Sequence, residues 1–345
     1  LDSSMTASYN TAVGDWAMFR FGTGLSNVGL GRWALLGASG NGNIAIGSSA
    51  LSDNAGDYNV IVGFHGCYDC ETAAQNTGLG SRVLNSLISG NNNSAVGYEA
   101  MYSTTTGYGN VAQGFEALHA NTEGYRNTSI GTNSMLSNTT GYNNTGLGYS
   151  ANSTGSTYFN TTGLGHNADC TASHQVRIGN ANVISIGGYA NWTNISDGRF
   201  KENIAEDVPG LDFIGHLRPV TYTVNVDGIH DFFVQQYGEC TDSIINPDKA
   251  RLRVSGFIAQ EVEATARKIG YEFSGVDAPK NDQDFYGLRY AEFVVPLVKA
   301  VQELAQTNAA LRYQIEQQEE MIMTLRAEQE RQAEAIRRVH IEPGS

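Results

Sequence analysis

Apolar and polar positions recur along the first 190 residues with a period that belongs to neither a helix nor an ordinary strand. Aligned on one glycine, the copies fall at Gly14, Gly31, Gly47, Gly63, Gly80, Gly97, Gly114, Gly131, Gly148 and Gly165, spaced 16 or 17 residues apart. The residue before this glycine is apolar in every copy except that of Gln113. Three positions after it a small residue recurs (Ala17, Ala34, Ala50, Ala100, Ala117, Ala151, Ala168), and four after it Met18, Leu35, Leu51, Met101, Leu118 or Met135. Apolar runs this short, bent apart by a glycine free to take positive φ, predict two short strands per coil. Such a unit buries its apolar face only by stacking on the next copy, so the pattern predicts a solenoid of about ten coils over residues 1–190. The asparagines that lead the copies (Asn10, Asn27, Asn43, Asn59, Asn76, Asn93, Asn110, Asn127, Asn144) suit turns, where the amide bonds backbone or stacks on its counterpart in the next coil.

The pattern changes after residues 191–195, which read as a junction. In residues 255–270, Ile258, Val262, Ala266 and Ile269 share one helical face, and Gly270 suits the C-cap. A long helix is expected from Tyr290. Leu297, Val301, Leu304, Asn308, Leu311, Ile315, Gln318, Ile322 and Leu325 alternate spacings of four and three, a heptad seam with Asn308 as a polar register marker. Residues 196–290 therefore read as an α+β domain and 291–340 as a coiled-coil helix. One or two large apolar residues per coil make a thin core for a solenoid standing alone, which with the heptad seam predicts a homotrimer.

Charge follows the same division. Residues 1–195 hold 5 of the 21 Lys and Arg and none of the 6 prolines, and the net charge is −14. So few cations cannot assemble a phosphate-binding surface, which argues against nucleic acid. No apolar run is long enough to span a membrane as a helix. The chain opens at Leu1 without methionine or a signal-peptide pattern, and an attachment region is expected upstream.

Tempting chemistry in the array has plainer readings. Cys67 stands four after Gly63, in the row of buried Leu and Met, so it reads as an apolar residue. A local disulfide with Cys70 is the alternative, and with Cys170 and Cys240 isolated no metal site or cofactor is expected. The Asn-x-Ser/Thr triplets at Asn127, Asn138, Asn152 and Asn160 read as turn asparagines rather than glycan acceptors. His65, His119 and His166 occupy different places in the repeat and suggest no common site. Without recurring carboxylate pairs, a glycosidase site is not expected.

Two resemblances then give this pattern a context. The phrases "NTAVG", "NIAIG", "NSAVGYEAM" and "NNTGLGYSA" resemble the head repeats of YadA-like trimeric adhesins and phage tail fibres, which implies a trimeric left-handed parallel β-roll. "SDGRFKENI" (196–204), "GFIAQEVE" (256–263) and "YAEFVVPLVKAVQEL" (290–304) resemble the peptidase S74 domain, the intramolecular chaperone of endosialidases and tail fibres. That resemblance implies trimerisation, templated folding of the β-structure upstream, and self-cleavage between Ile195 and Ser196. Ser196 would be the nucleophile and Lys201 its base, with Asp197, Arg199 and Asn203 orienting the turn. The chemistry is coherent, because a serine hydroxyl attacks a carbonyl only when a base takes its proton, and burial can keep a lysine neutral enough to do so. The function implied is a receptor-binding tail fibre of a phage or phage-like particle, assembled in the host cytoplasm, meeting a polysaccharide or protein receptor and joined upstream to baseplate or fibre proteins. The alternative is a cell-surface trimeric adhesin whose chaperone stays attached.

Overall fold

The apolar triplet before each register glycine is too short to be anything but one edge of a coil, and it forms a strand of three residues. The computed structural model describes residues 7–20, 22–54, 56–237 and 246–339. The strands run from β1 (Thr11–Val13) to β11 (Val176–Ile178) and pair in chain order into a single parallel sheet of eleven. Copies pair like with like, Thr145 opposite Thr162 and Leu147 opposite Leu164. The middle residue of a strand, such as Ala45, Ile61, Ala95 or Ala112, is buried. Its neighbours on either side point outward.

The expected second strand does not form. The segment after the glycine is a run of tight turns, in which the second and fourth residues take left-handed φ, as with Trp33 at 61° and Leu35 at 52°. That conformation costs an L residue about 1–2 kcal/mol. It is offset because it turns N–H groups toward the next coil: Met18 N to Ala34 O, Leu35 N to Ala50 O and Met101 N to Ala117 O each measure 3.0 Å. The same turns aim Met18, Leu35, Leu51, Leu84, Met101, Leu118 and Met135 inward, where with the alanines they form the core. The register glycines stack backbone on backbone. At Gly97, with φ at 138°, an added Cβ would lie 2.2 Å from the Gly114 carbonyl oxygen, so no side chain fits.

The leading asparagines form a continuous ladder from the half-buried Asn10 through Asn144 to Thr161, buried from Asn27 onward. Asn93 Oδ1 accepts from the Asn110 backbone N–H at 3.0 Å and from Asn110 Nδ2 at 3.1 Å, and Asn110 Nδ2 also donates to Gly124 O at 2.8 Å. Each amide therefore satisfies backbone groups that sheet pairing leaves over. Of the four asparagines read as turn residues, Asn127, Asn138 and Asn152 are buried, while Asn160 is exposed and lies 2.8 Å from the His174 ring nitrogen. Cys67 is buried in the expected row, yet it is also joined to Cys70 as a disulfide, with Cα atoms 5.3 Å apart. The pairing thus supersedes the reading of Cys67 as a simple apolar residue. Cys170 is a buried free thiol, pushed up to about 11 mainly by burial and so unreactive. Cys240 lies outside the described residues.

Beyond the solenoid come a 3-10 turn (Gly198–Phe200), α1 (Leu211–Ile214), β12 (Val220–Thr223), α2 (Val226–Tyr237), α3 (Pro247–Arg251), β13 (Arg253–Gly256), α4 (Ala259–Lys268), β14 (Val276–Asp277), β15 (Gly287–Leu288) and α5 (Val294–Val339). The chain divides into two compact units that do not follow sequence order. One joins the solenoid to residues 223–252 and 279–285, and the other holds residues 192–222, 253–278 and 286–345. In the second unit the fully buried Phe213 packs on Phe273 with centroids 4.9 Å apart, beside Val262 and Ala266 of α4. α4 starts later than its periodicity implies, because residues 253–256 pair with β12; Ile258 becomes its N-cap, and Gly270 takes φ of 70° just past its end. The amides at the start of α1 are served from α5, Glu303 Oε2 accepting from Leu211 N–H at 2.8 Å. α5 runs 46 residues, and Pro296 sits in its first turn, where its missing N–H costs nothing.

Removing one rung of the ladder should cost stability in a defined way. Asn93→Ala orphans the Asn110 N–H, and Gly114→Ala drives a Cβ to 2.4 Å from Gly131 O. Each should lower stability by about 2–3 kcal/mol, against less than about 0.5 kcal/mol for Glu123→Ala on the surface, read by denaturant unfolding of the solenoid.

Candidate functional site

Immediately after the array, Asp197 starts a single 3-10 turn whose geometry follows from the short polar residues around it. Its carboxylate caps the turn by accepting the Arg199 backbone N–H at 2.9 Å. The Arg199 guanidinium closes on the same carboxylate, with Nε 3.0 Å and Nη2 2.6 Å from Oδ2. This pair holds the Asp197 carboxyl below its ordinary value, the Arg199 side chain being the main cause. Phe200 N–H to Asp197 O and Lys201 N–H to Gly198 O complete the turn at 3.1 and 3.2 Å. Asn203 takes a left-handed φ of 54°, a conformation asparagine tolerates better than most residues, and swings the chain away.

The turn brings its two ends together. Lys201 Nζ lies 2.8 Å from Ser196 Oγ, close enough to exchange a proton with it directly. Ile195 is 92% exposed, so the peptide bond before Ser196 is open to attack and to water. In one respect the arrangement differs from the expectation: Ser196 and Lys201 are exposed, and Phe200 and Ile204 beside them are 76% and 77% exposed. The chain by itself does not supply the burial that a lysine base requires. Asn308, the expected register residue, lies exposed on α5.

Residues 196–271 match the family model for the chaperone of endosialidase, peptidase S74. No curated protein and no solved structure matches the chain. The matched segment begins at Ser196, the first residue of the turn, and follows a β-solenoid. That combination is consistent with a tail-fibre-like protein.

Other polar clusters carried no readable signal in the sequence. On the solenoid surface Glu99 gathers Arg82 at 3.1 Å and His119 at 3.4 Å, with Tyr102 stacked on the His119 ring; His119 therefore does have partners, drawn from copies 17 and 20 residues away. At the last coils, Asp284 reaches Thr171 Oγ1 at 2.6 Å and Gln175 Nε2 at 3.2 Å, contacts across more than 100 residues that no local motif announces. Burial pushes its carboxyl up, but hydrogen bonds from Thr171, Lys280, Gln175 and Phe285 outweigh that and hold it below its ordinary value.

Asp169 is the opposite case. Burial pushes its carboxyl up to about 6, although Ser153 N–H donates to Oδ1 at 2.7 Å. A carboxyl raised in the folded state favours folding only while protonated, so its contribution is lost as pH rises through 6. Asp169→Asn should therefore stabilise the solenoid at pH 7.5 by on the order of 1–2 kcal/mol, and the gain should vanish by about pH 4 in a pH series of thermal unfolding.

Proposed function

We propose that the protein is a trimeric tail fibre or receptor-binding tip of a phage or phage-like particle, whose C-terminal region directs its assembly and then cuts itself away between Ile195 and Ser196. The observation that carries this reading is the 2.8 Å approach of Lys201 Nζ to Ser196 Oγ, at the start of a segment matching the chaperone of endosialidase. In the cut, Lys201 takes the Ser196 hydroxyl proton and Oγ attacks the Ile195 carbonyl carbon. The acyl group passes from nitrogen to oxygen as the peptide bond breaks, and the Ser196 amine receives the proton. Water then hydrolyses the ester, releasing the Ile195 carboxylate and restoring the hydroxyl. Asp197, Arg199 and Asn203 touch no reacting atom and serve as positioning residues.

Trimerisation is supported by two apolar surfaces the single chain leaves open. Outward strand residues such as Val13, Leu79 and Leu147 are 60%, 50% and 48% exposed, and along the α5 seam Val301, Leu311, Ile315 and Leu325 are 62%, 50%, 53% and 54% exposed. Packing three copies would cover both and could also bury Lys201. A chaperone suits such a product, since parallel β-structure that must find register and partners folds slowly and aggregates readily. The Tyr-, Asn- and Ser-rich outer surface would meet a polysaccharide or protein receptor, and an upstream region would join the particle. The exposure of Lys201 favours a second reading, a cell-surface trimeric adhesin whose chaperone stays attached.

Intact mass after expression separates the two. On the first reading the wild type yields a product beginning Ser-Asp-Gly-Arg, while Ser196→Ala and Lys201→Arg remain full length yet fold, arginine being unable to give up its proton. A full-length wild type supports the second, and a cut elsewhere, or normal processing of Ser196→Ala, removes the dyad. Sedimentation should give a trimer, and Asn308→Leu should stabilise the coil while broadening its oligomer distribution. A stable folded monomer would overturn the trimeric reading.

A further inference from the structure

Among the described residues the last strand, β11, pairs with β10 alone, and no further coil takes up its outward backbone groups. An open parallel edge of this kind is a site for unwanted strand pairing unless something covers it. Within the first compact unit, residues that follow the cut in sequence meet this coil from two segments. From the 279–285 segment, Asp284 accepts from Thr171 Oγ1 at 2.6 Å and from Gln175 Nε2 at 3.2 and 3.3 Å, with Arg177 at 3.7 Å, and Asn281 Nδ2 donates to the Thr171 carbonyl at 2.9 Å. From the 223–252 segment, Lys249 Nζ donates to Val183 O at 2.6 Å, and Asn246 N–H to Asn182 Oδ1 at 2.9 Å. The Asp284 side chain is only 4% exposed, a buried charge that accepts from the Lys280 and Phe285 backbone N–H groups of its own segment and from Thr171 and Gln175 of the solenoid. A cavity of about 250 Å³ at this joint is lined by Asn167, Arg177 and Asn182 together with Ile229, Phe233 and Phe285.

We propose that this joint is a binding surface for the solenoid's end, pinned by Asp284, and that it outlives the cut. The pieces 1–195 and 196–345 then remain a non-covalent complex, and the C-terminal piece leaves in a separate, slower step that uncovers the final coil. A joint made of a few charge-assisted hydrogen bonds suits this role. It holds the final coil beside its edge while the fibre is being built, through polar side chains that can let go later. The inference rests on the reading that the chain is cut at Ile195–Ser196, but its test need not.

A full-length chain carrying Ser196→Ala, with a site-specific protease sequence inserted in the exposed stretch 190–194, can be cut whether or not self-cleavage exists. After proteolysis the two pieces should co-elute in size-exclusion chromatography at neutral pH. Asp284→Ala should speed their separation at least about tenfold, and Lys249→Met, which removes the donor to the Val183 carbonyl, should speed it in the same direction. If Asp284→Ala fails to fold, the parent and Lys249→Met still decide the matter. Immediate separation of the parent pieces, or separation unchanged by either variant, overturns the proposal. Absence of self-cleavage in the wild type would instead count against the dyad alone.

Discussion

Every coil leaves backbone N–H and C=O groups pointing along the solenoid, and only the neighbouring coil can satisfy them. This mutual dependence fixes the residues that look monotonous in the sequence. Register glycines permit carbonyls to stack where a Cβ would clash, as at Gly97 over Gly114. Asparagines fill the places where strand pairing ends, each amide bonding the next copy's backbone. Proline is absent before residue 196 because each N–H is needed. Even the left-handed residues, unfavourable one by one, are kept because from Ser26 to His174 each sends an N–H to an adjacent coil.

A structure stabilised by neighbours needs something in place of a neighbour where the coils stop. The segments 223–252 and 279–285 meet the last coil with side chains in place of a further coil, and Asp284 is central because one carboxylate can accept from several donors at once. The sheet face and the α5 seam pose the same question sideways. Both expose apolar rows that a single chain leaves in water, and both follow the repeat that generates them. The turn at Ser196 belongs to this economy of short-range contacts: six residues, a capping aspartate and an arginine suffice to set Lys201 Nζ on the serine hydroxyl.

The sequence by itself determined what repetition and local geometry control. The coil period, the inward Met and Leu row, the asparagine ladder and the heptad face of α5 all concern residues a fixed small distance apart, or one copy apart, and so appear as spacing, whereas the pairing of Ser196 with Lys201 was implied by the resemblance of the segment that holds them. It misjudged the second half of each coil. Small and apolar residues there suit a strand or a turn equally, and only hydrogen bonding between coils chose alternating left-handed turns. Cys67 and Cys70 were ambiguous for a similar reason, since one residue can fill a core row and still bond its neighbour. Tertiary structure alone decided the rest. The Asp284 cluster links residues more than 100 positions apart, the two compact units interleave along the chain, and the solvent exposure of Lys201 depends on what the remainder of the molecule leaves uncovered. Those outcomes depend on long-range packing, in which a residue's partners are set by the path of the whole chain and leave no periodic mark on its neighbours.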